Sequence, residues 1–416
     1  MGRPLGTRPR TWAATIAAAT LLAGCSAPGT EGPGSEQSAQ PPSPQATVDT
    51  TAPPAPTASE TAASEPRLAP DGRPFVVTEV AEFDEPWAMA FLPGTPWLAI
   101  TERTGTLHLR DQESGRTLEV SGVPEVVVGG QGGLGDIVAG PTFADDNTVY
   151  LSWIERGDGG TGAVVGRARL VVEGDTARLD GLTTVWEQTP KVSGNGHFSH
   201  RLAFSPDGQY LFVSSGDRQK MEPAQDLSNT LGTIVRLTPD GEPAPGNPFA
   251  DRGAPTDQIW SYGHRNPLGL AFDEAGRLWS SEMGPQGGDE INLIEAGANY
   301  GWPEASNGSH YGGGEIPDHA DGDGFAAPKV GWTPSVSPGS LMIYHGDAFP
   351  DWTGDAFVGA LSGQALIRVD LDGESATEGD LWEMGQRIRA VAEAPDGSIW
   401  LLEDAPGGRL LQLTAP

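Results

Sequence analysis

The stretch "HRLAFSPDGQYLFVSSGD", His200 to Asp217, sets an apolar run of strand composition, a Pro-Asp-Gly turn and a second apolar run in succession. The pattern returns as "PWAMAFLPGTPWLAITE" (Pro86 to Glu102), "NPLGLAFDEAGRLWSSEMG" (Asn266 to Gly284) and "RIRAVAEAPDGSIWLLED" (Arg387 to Asp404). Self-similarity at a regular spacing is the mark of a fold built from repeated units. The turn glycines are Gly94, Gly208, Gly276 and Gly397, at gaps of 114, 68 and 121 residues, so two gaps are close to double the third. Weaker copies fill the long gaps, "GGLGDIVAGPTFADDNTVYLSWIE" around Gly140 and "GSLMIYHGDAFPDWTGDAFVGAL" around Gly346. Six units over five intervals give about 61 residues each, which suits four-stranded blades with long loops. The expectation is an all-β chain folded as a six-bladed β-propeller. A sandwich or two smaller β domains is the competing arrangement.

Two terminal segments fall outside the repeat. "RPFVVTEVAEF" (Arg73 to Phe83) precedes the first unit and "GGRLLQLTAP" ends the last. Pairing them in one blade closes the ring and hides two strand edges.

Upstream the composition changes. "MGRPLGTRPRTWAATIAAATLLAGC" carries Arg3, Arg8 and Arg10, then an apolar run and Leu22-Ala23-Gly24-Cys25, the order of an export signal. The last four residues resemble the lipobox of bacterial lipoproteins, whose cysteine is acylated. Cys25 is the only cysteine, so a disulfide framework is excluded and a lipid anchor is expected. Ser26 to Ala69 is Pro, Ala, Ser, Thr, Gly and Glu with hardly a large apolar side chain, a composition expected to stay disordered. As a flexible tether it spans roughly 40 Å. The expected organisation is therefore a lipoprotein signal peptide over 1–24, a disordered linker over 25–70 and the propeller over 71–416. That places the protein on the extracellular face of the cell membrane. The formal charge of −31 argues against nucleic acid and anionic surfaces as electrostatic partners and favours divalent cations.

Within the repeat, reactive side chains share one address. His197 stands 11 residues before Gly208 and Arg265 11 before Gly276; Asn266 and Arg387 stand 10 before Gly276 and Gly397, and Gln131 stands 9 before Gly140. In a propeller the loop leading into each first strand lies on one face, so these groups and Arg389 converge at a channel mouth. A neutral histidine is a general base near pH 7, and arginines bind planar carboxylates and stabilise negative charge. No serine or cysteine nucleophile motif accompanies His197. His197 and His200 fall on opposite faces of an extended chain, so they are not a zinc pair. No P-loop lysine follows the glycine-rich runs. His200 reads as supporting or exposed, and Arg201 as a loop anchor. In "SEMGPQGGDEINLIEAGANYGWP" (Ser281 to Pro303), exposed carbonyls with Asp289 and Glu290 offer oxygen ligands suited to Ca²⁺.

"GNGHFSHRL", "AQDLSNTLGTIVRL", "IWSYGHRNPLGLAF", the Ser281–Pro303 segment and "GQRIRAVAEAPDG" occur in this order. Together they resemble the soluble glucose/sorbosone dehydrogenase family, and most its bacterial aldose sugar dehydrogenases, over about Phe75 to Leu413. The resemblance implies a six-bladed quinoprotein that uses pyrroloquinoline quinone (PQQ) and Ca²⁺ to oxidise aldoses to lactones. It implies His197 as the base at the anomeric hydroxyl, Asp217 orienting it, and Arg265 stabilising the oxyanion while hydride passes to the quinone. Asn266, Arg387, Arg389 and Gln131 then contact the cofactor. The carbonyls of Gly284 and Pro285 hold a cofactor-bridging Ca²⁺, and Glu290 with the Tyr300 carbonyl holds a structural one. The electron acceptor stays unidentified. One position departs from the family: after "GAL" the usual lysine is Ser362. Losing an ammonium beside a tricarboxylate weakens binding unless another cation compensates. A non-catalytic binding propeller and a calcium-dependent propeller lactonase are the alternatives.

Overall fold

The computed structural model describes residues 68–416. The proposed signal peptide and nearly all of the proposed linker lie outside the described residues. Among those described, no helix is long and apolar enough to cross a membrane.

The fold is nearly all β and propeller-like. Four sheets have four strands each and one has eight. In the eight-stranded sheet, strands Pro86–Phe91, Trp97–Glu102, Thr106–Asp111 and Thr117–Ser121 form one antiparallel half. Strands Leu134–Ala139, Thr148–Gly157, Gly160–Glu173 and Thr176–Glu187 form the other. A short parallel pairing, Val120 opposite Ala177 and Ser121 opposite Arg178, joins the halves. The sequence repeat contains no signal for this link.

The first strands of the repeat units stand side by side. Pro86–Phe91 lies against Leu134–Ala139, which lies against Ser199–Phe204, then Pro267–Phe272, Pro338–Ile343 and Ile388–Glu393, which returns to Pro86–Phe91. The terminal strands pair as the sequence led one to expect. Val76–Phe83 is the outermost strand and runs antiparallel to Gly408–Thr414, which pairs with Ile399–Glu403, which in turn pairs with Ile388–Glu393. Gly94, Gly208, Gly276 and Gly397 all have φ between 71° and 77°, a left-handed turn conformation that glycine adopts without strain. The weaker copies differ because their turns carry short helices, Phe143–Asp146 and Pro350–Trp352.

Apolar side chains fill the space between neighbouring sheets. Trp279, Ile291 and Trp332 pack with Leu341, Val358 and Ile367 in one such layer, and Phe75, Trp352 and Phe357 with Leu401 and Leu413 in another. Each first strand also breaks register with its partner near its start, at Pro86/Ala88, Leu134/Ile137, Ser199/Leu202, Pro267/Gly269, Pro338/Ser340 and Ile388/Ala390. Bulges bend a strand and re-aim its side chains. Here they occur at one end of the ring, where the reactive residues are.

Candidate active site

The loop "GNGHFSHRL" is not extended. His197, Ser199 and His200 have φ of 48°, 59° and 56°, so the opposite-face argument for its two histidines does not apply. They diverge because different elements hold them. The His197 backbone N–H donates to Gln131 Oε1 at 2.6 Å, joining two of the residues expected at the mouth. Its Nδ1 lies 2.7 Å from Asp217 Oδ1. Asp217 is fully buried and also accepts from the Gln219 and Met221 N–H groups and from the Trp302 indole at 2.8 Å. Burial raises the Asp217 pKa, but the His197 hydrogen bond and the other donors outweigh it and leave the carboxyl below its usual value. An ionised carboxylate only accepts, so Nδ1 carries the proton and Nε2 has a free lone pair. Burial lowers the His197 pKa, with Arg265 adding to the effect against the pull of Asp217.

Arg265 and Asn266 precede the strand Pro267–Phe272 and are 4% and 0% exposed. Arg265 Nη1 donates to the carbonyls of Met283 and Gly284, its Nε is buried without a partner, and its guanidinium lies 5.3 Å from the Trp302 ring centre. Asn266 Oδ1 accepts from Ser199 Oγ, while its buried Nδ2 has no partner. Glu282 holds both backbones, accepting from the N–H groups of Arg265 and Asn266 on Oε1, with His264 Nδ1 at Oε2. Arg387 and Arg389 are held likewise by Asp404, through Oδ2 and Oδ1.

Sequence reasoning missed Glu282 and Asp404, though a signal was present. Asp217, Glu282 and Asp404 each follow or end the second strand of a unit, so each lies beside the reactive residue leading into the first.

Gln131, Arg387 and Arg389 line a cavity of about 340 Å³ with Trp87, Ser199, His200, Met283 and Ser337. His200 is therefore not exposed. It is buried in the cavity wall, stacked on Trp87 at 4.9 Å, with Nδ1 2.8 Å from Ser152 Oγ. Burial and neighbouring arginines push its pKa down to about 3. Arg201 does anchor, donating to Asp136 and to the carbonyls of Leu268 and Gly339.

A second, very small cavity adjoins Met283 and brings together Arg265, Glu282, Gly284, Pro285, Glu290 and Tyr300. Asp289 is not available to a cation there: Oδ1 accepts from the Gly284 N–H and Oδ2 from Ser335 Oγ and the N–H groups of Val336 and Ser337. It is a clamp for the loop. Glu290 differs. Burial and the nearby Glu282 push its pKa up to about 8. The Glu282 oxygens are occupied by Arg265, Asn266 and His264, but the buried Glu290, with only Oε2 engaged, by Asn292, and the Tyr300 carbonyl, which accepts no hydrogen bond from a described residue, offer oxygens that suit a hard dication. The Gly284 oxygen fits less well, since it accepts from Arg265 at 2.5 Å. No group of three or more His, Cys, Asp or Glu side chains forms a ready metal cluster among the described residues.

Residues 83–412 match the family model described as glucose/sorbosone dehydrogenase. An aldose sugar dehydrogenase of Escherichia coli is 41% identical over 340 residues, covering 80% of this chain and 91% of that protein. The apo crystal structure of the soluble E. coli aldose sugar dehydrogenase superposes with a TM-score of 0.78 at 38% identity, covering 82% of this chain and 100% of that one. The PQQ-bound aldose sugar dehydrogenase of Streptomyces coelicolor gives 0.68 at 32% identity, covering 82% and 98%.

Proposed function

Because the chain belongs to the glucose/sorbosone dehydrogenase family, we propose that it is a PQQ- and Ca²⁺-dependent enzyme oxidising aldose sugars to lactones. The observation that carries the reading is the His197–Asp217 pair: a buried, uncharged imidazole with Nδ1–H committed to a carboxylate has only its basic nitrogen to offer substrate.

The side chains suit the cofactor. Arg387 and Arg389 offer cations to its carboxylates, and Asn266 Nδ2 is an unpartnered buried donor for a quinone oxygen. PQQ, when bound, supplies the two-electron acceptor for the hydride that leaves the anomeric carbon. His197 Nε2 takes the proton from the anomeric hydroxyl. Arg265, charged and buried, favours the negative charge that develops on that oxygen. Asp217 holds the tautomer and stabilises the imidazolium once formed. Glu290 and the Tyr300 carbonyl would hold a structural Ca²⁺, and the Pro285 and Gly284 carbonyls a second one near the cofactor.

The ring of six first strands supports six blades, with the eight-stranded sheet counted as two blades joined at Val120 and Ala177. The basic, apolar and Leu-Ala-Gly-Cys order at the N-terminus supports export and a lipid anchor on Cys25, at the outer face of the membrane. The test is reconstitution. Purified protein given PQQ, Ca²⁺ and aldoses reduces an artificial dye; no reduction across a broad sugar panel at saturating cofactor rejects the reading, and lactone hydrolysis without quinone identifies a lactonase instead.

A further inference from the structure

Position 362 lies at the edge of the larger cavity but brings no charge to it. Ser362 Oγ donates to the Ser335 carbonyl at 3.1 Å and lies 2.8 Å from Ser337 Oγ, while its neighbours Leu361 and Ser337 line the cavity. The cavity wall nonetheless contains three cations, because Arg103 lines it together with Arg387 and Arg389.

Arg103 follows the strand Trp97–Glu102. Its Nη2 donates to both carboxylate oxygens of Glu85, at 2.8 and 2.7 Å. Its backbone N–H donates to the Glu85 carbonyl, and the Glu85 N–H donates to the carbonyl of Ala405. Ala405 adjoins Asp404, the residue that holds Arg387 and Arg389. One chain of contacts therefore fixes all three guanidinium groups. Glu85 has φ of 50°, a conformation costly for a residue other than glycine and sustained only where the surroundings require it. Arg103 Nη1 is only weakly engaged, 3.4 and 3.5 Å from the carbonyls of Gly130 and Gly132 on either side of Gln131, distances at which a hydrogen bond is poor. That edge of the fork is free to bind an anion, and a guanidinium is suited to a carboxylate.

We propose that Arg103, positioned by Glu85, is the third cation of the cofactor cavity and binds a carboxylate of the quinone, supplying the charge that position 362 lacks. This rests on reading the cavity as the PQQ site.

The test is optical titration of the full-length protein with PQQ in the presence of Ca²⁺, with thermal melting as a check on folding. Arg103→Gln raises the dissociation constant about 10- to 100-fold, the loss of one charge-assisted pair. Glu85→Gln does not weaken binding comparably, since the cation remains. Ser362→Lys tightens binding in the wild type and restores most of the loss in Arg103→Gln. Should Arg103→Gln fold poorly, Arg103→Lys, which keeps charge but not the fork, shows a smaller weakening, and Ser362→Lys alone still tightens binding. Wild type that binds PQQ while Arg103→Gln and Ser362→Lys bind it equally well overturns the assignment of Arg103 and leaves the cofactor site standing. Wild type that binds no PQQ overturns both.

Discussion

Trp302 donates its indole N–H to Asp217 at 2.8 Å across 85 residues of sequence, so the aspect of the His197 imidazole depends on a loop from a different sheet. Replacing Trp302 with Phe keeps an aromatic ring but removes that donor. We expect kcat to fall up to about tenfold with KM little changed, the result of losing one hydrogen bond to a charged group. Steady-state kinetics on a good aldose checks it.

His197→Ala removes the base, and kcat falls by about 10²- to 10⁴-fold with the melting temperature near that of the wild type. Asp217→Asn keeps the shape but loses the charge that favours an imidazolium, and the rate also drops steeply.

The same pair fixes the pH dependence. The base works only when neutral, and burial sets its pKa below the ordinary 6.5. Activity therefore holds as pH is lowered through 6.5 and declines only below it. Asp217 has a depressed folded pKa, so its stabilising contribution is present above the unfolded value and is lost as pH falls through the folded one. In Asp217→Asn the acid limb of kcat/KM moves to still lower pH, because the hydrogen bond that raised the His197 pKa is weakened. An acid limb at or above 6.5 in the wild type contradicts this account.

Chelation tests the cavity of Glu290 and Tyr300. A cation that binds only the folded chain stabilises it by mass action, about 2.7 kcal/mol at a hundredfold excess over Kd. Adding a chelator is expected to lower the melting temperature by about 4 °C or more. Glu290→Gln abolishes most of that difference between Ca²⁺ and chelator.

Phe75 is fully buried and meets the rings of Trp382 and Trp352 edge-on, at 5.2 and 6.3 Å. Phe75→Ala leaves a cavity beside the terminal strand and costs about 3–5 kcal/mol. Denaturant unfolding measures it, with the urea midpoint falling and the slope unchanged.

What could be read beforehand was what repeats. The four strong turn glycines mark equivalent hairpins because a left-handed φ at a tight turn demands that residue type, and counting back from them finds His197, Arg265 and Arg387. Of the acids that hold these residues, Asp217 was reached through the resemblance, while Glu282 and Asp404 were overlooked because they look like ordinary strand-end polar groups until the neighbouring first strand is placed beside them. Asp289 misled for the opposite reason: its composition suits a cation, but Gly284, Ser335, Val336 and Ser337 already satisfy it. The link between Val120 and Ala177 left no trace because two residues of parallel pairing need no particular side chains.

The pairing of Val76–Phe83 with Gly408–Thr414 also sets a delay in the life of each chain. The first strand among the described residues finds its partner only after the last has been synthesised. At about 5–20 residues per second the wait is roughly 20–70 s. Through that interval the strand offers an unsatisfied edge to whatever it meets. A chain broken off before Gly408 never covers it, so incomplete products are marked for aggregation or removal by the same pairing that completes the intact molecule.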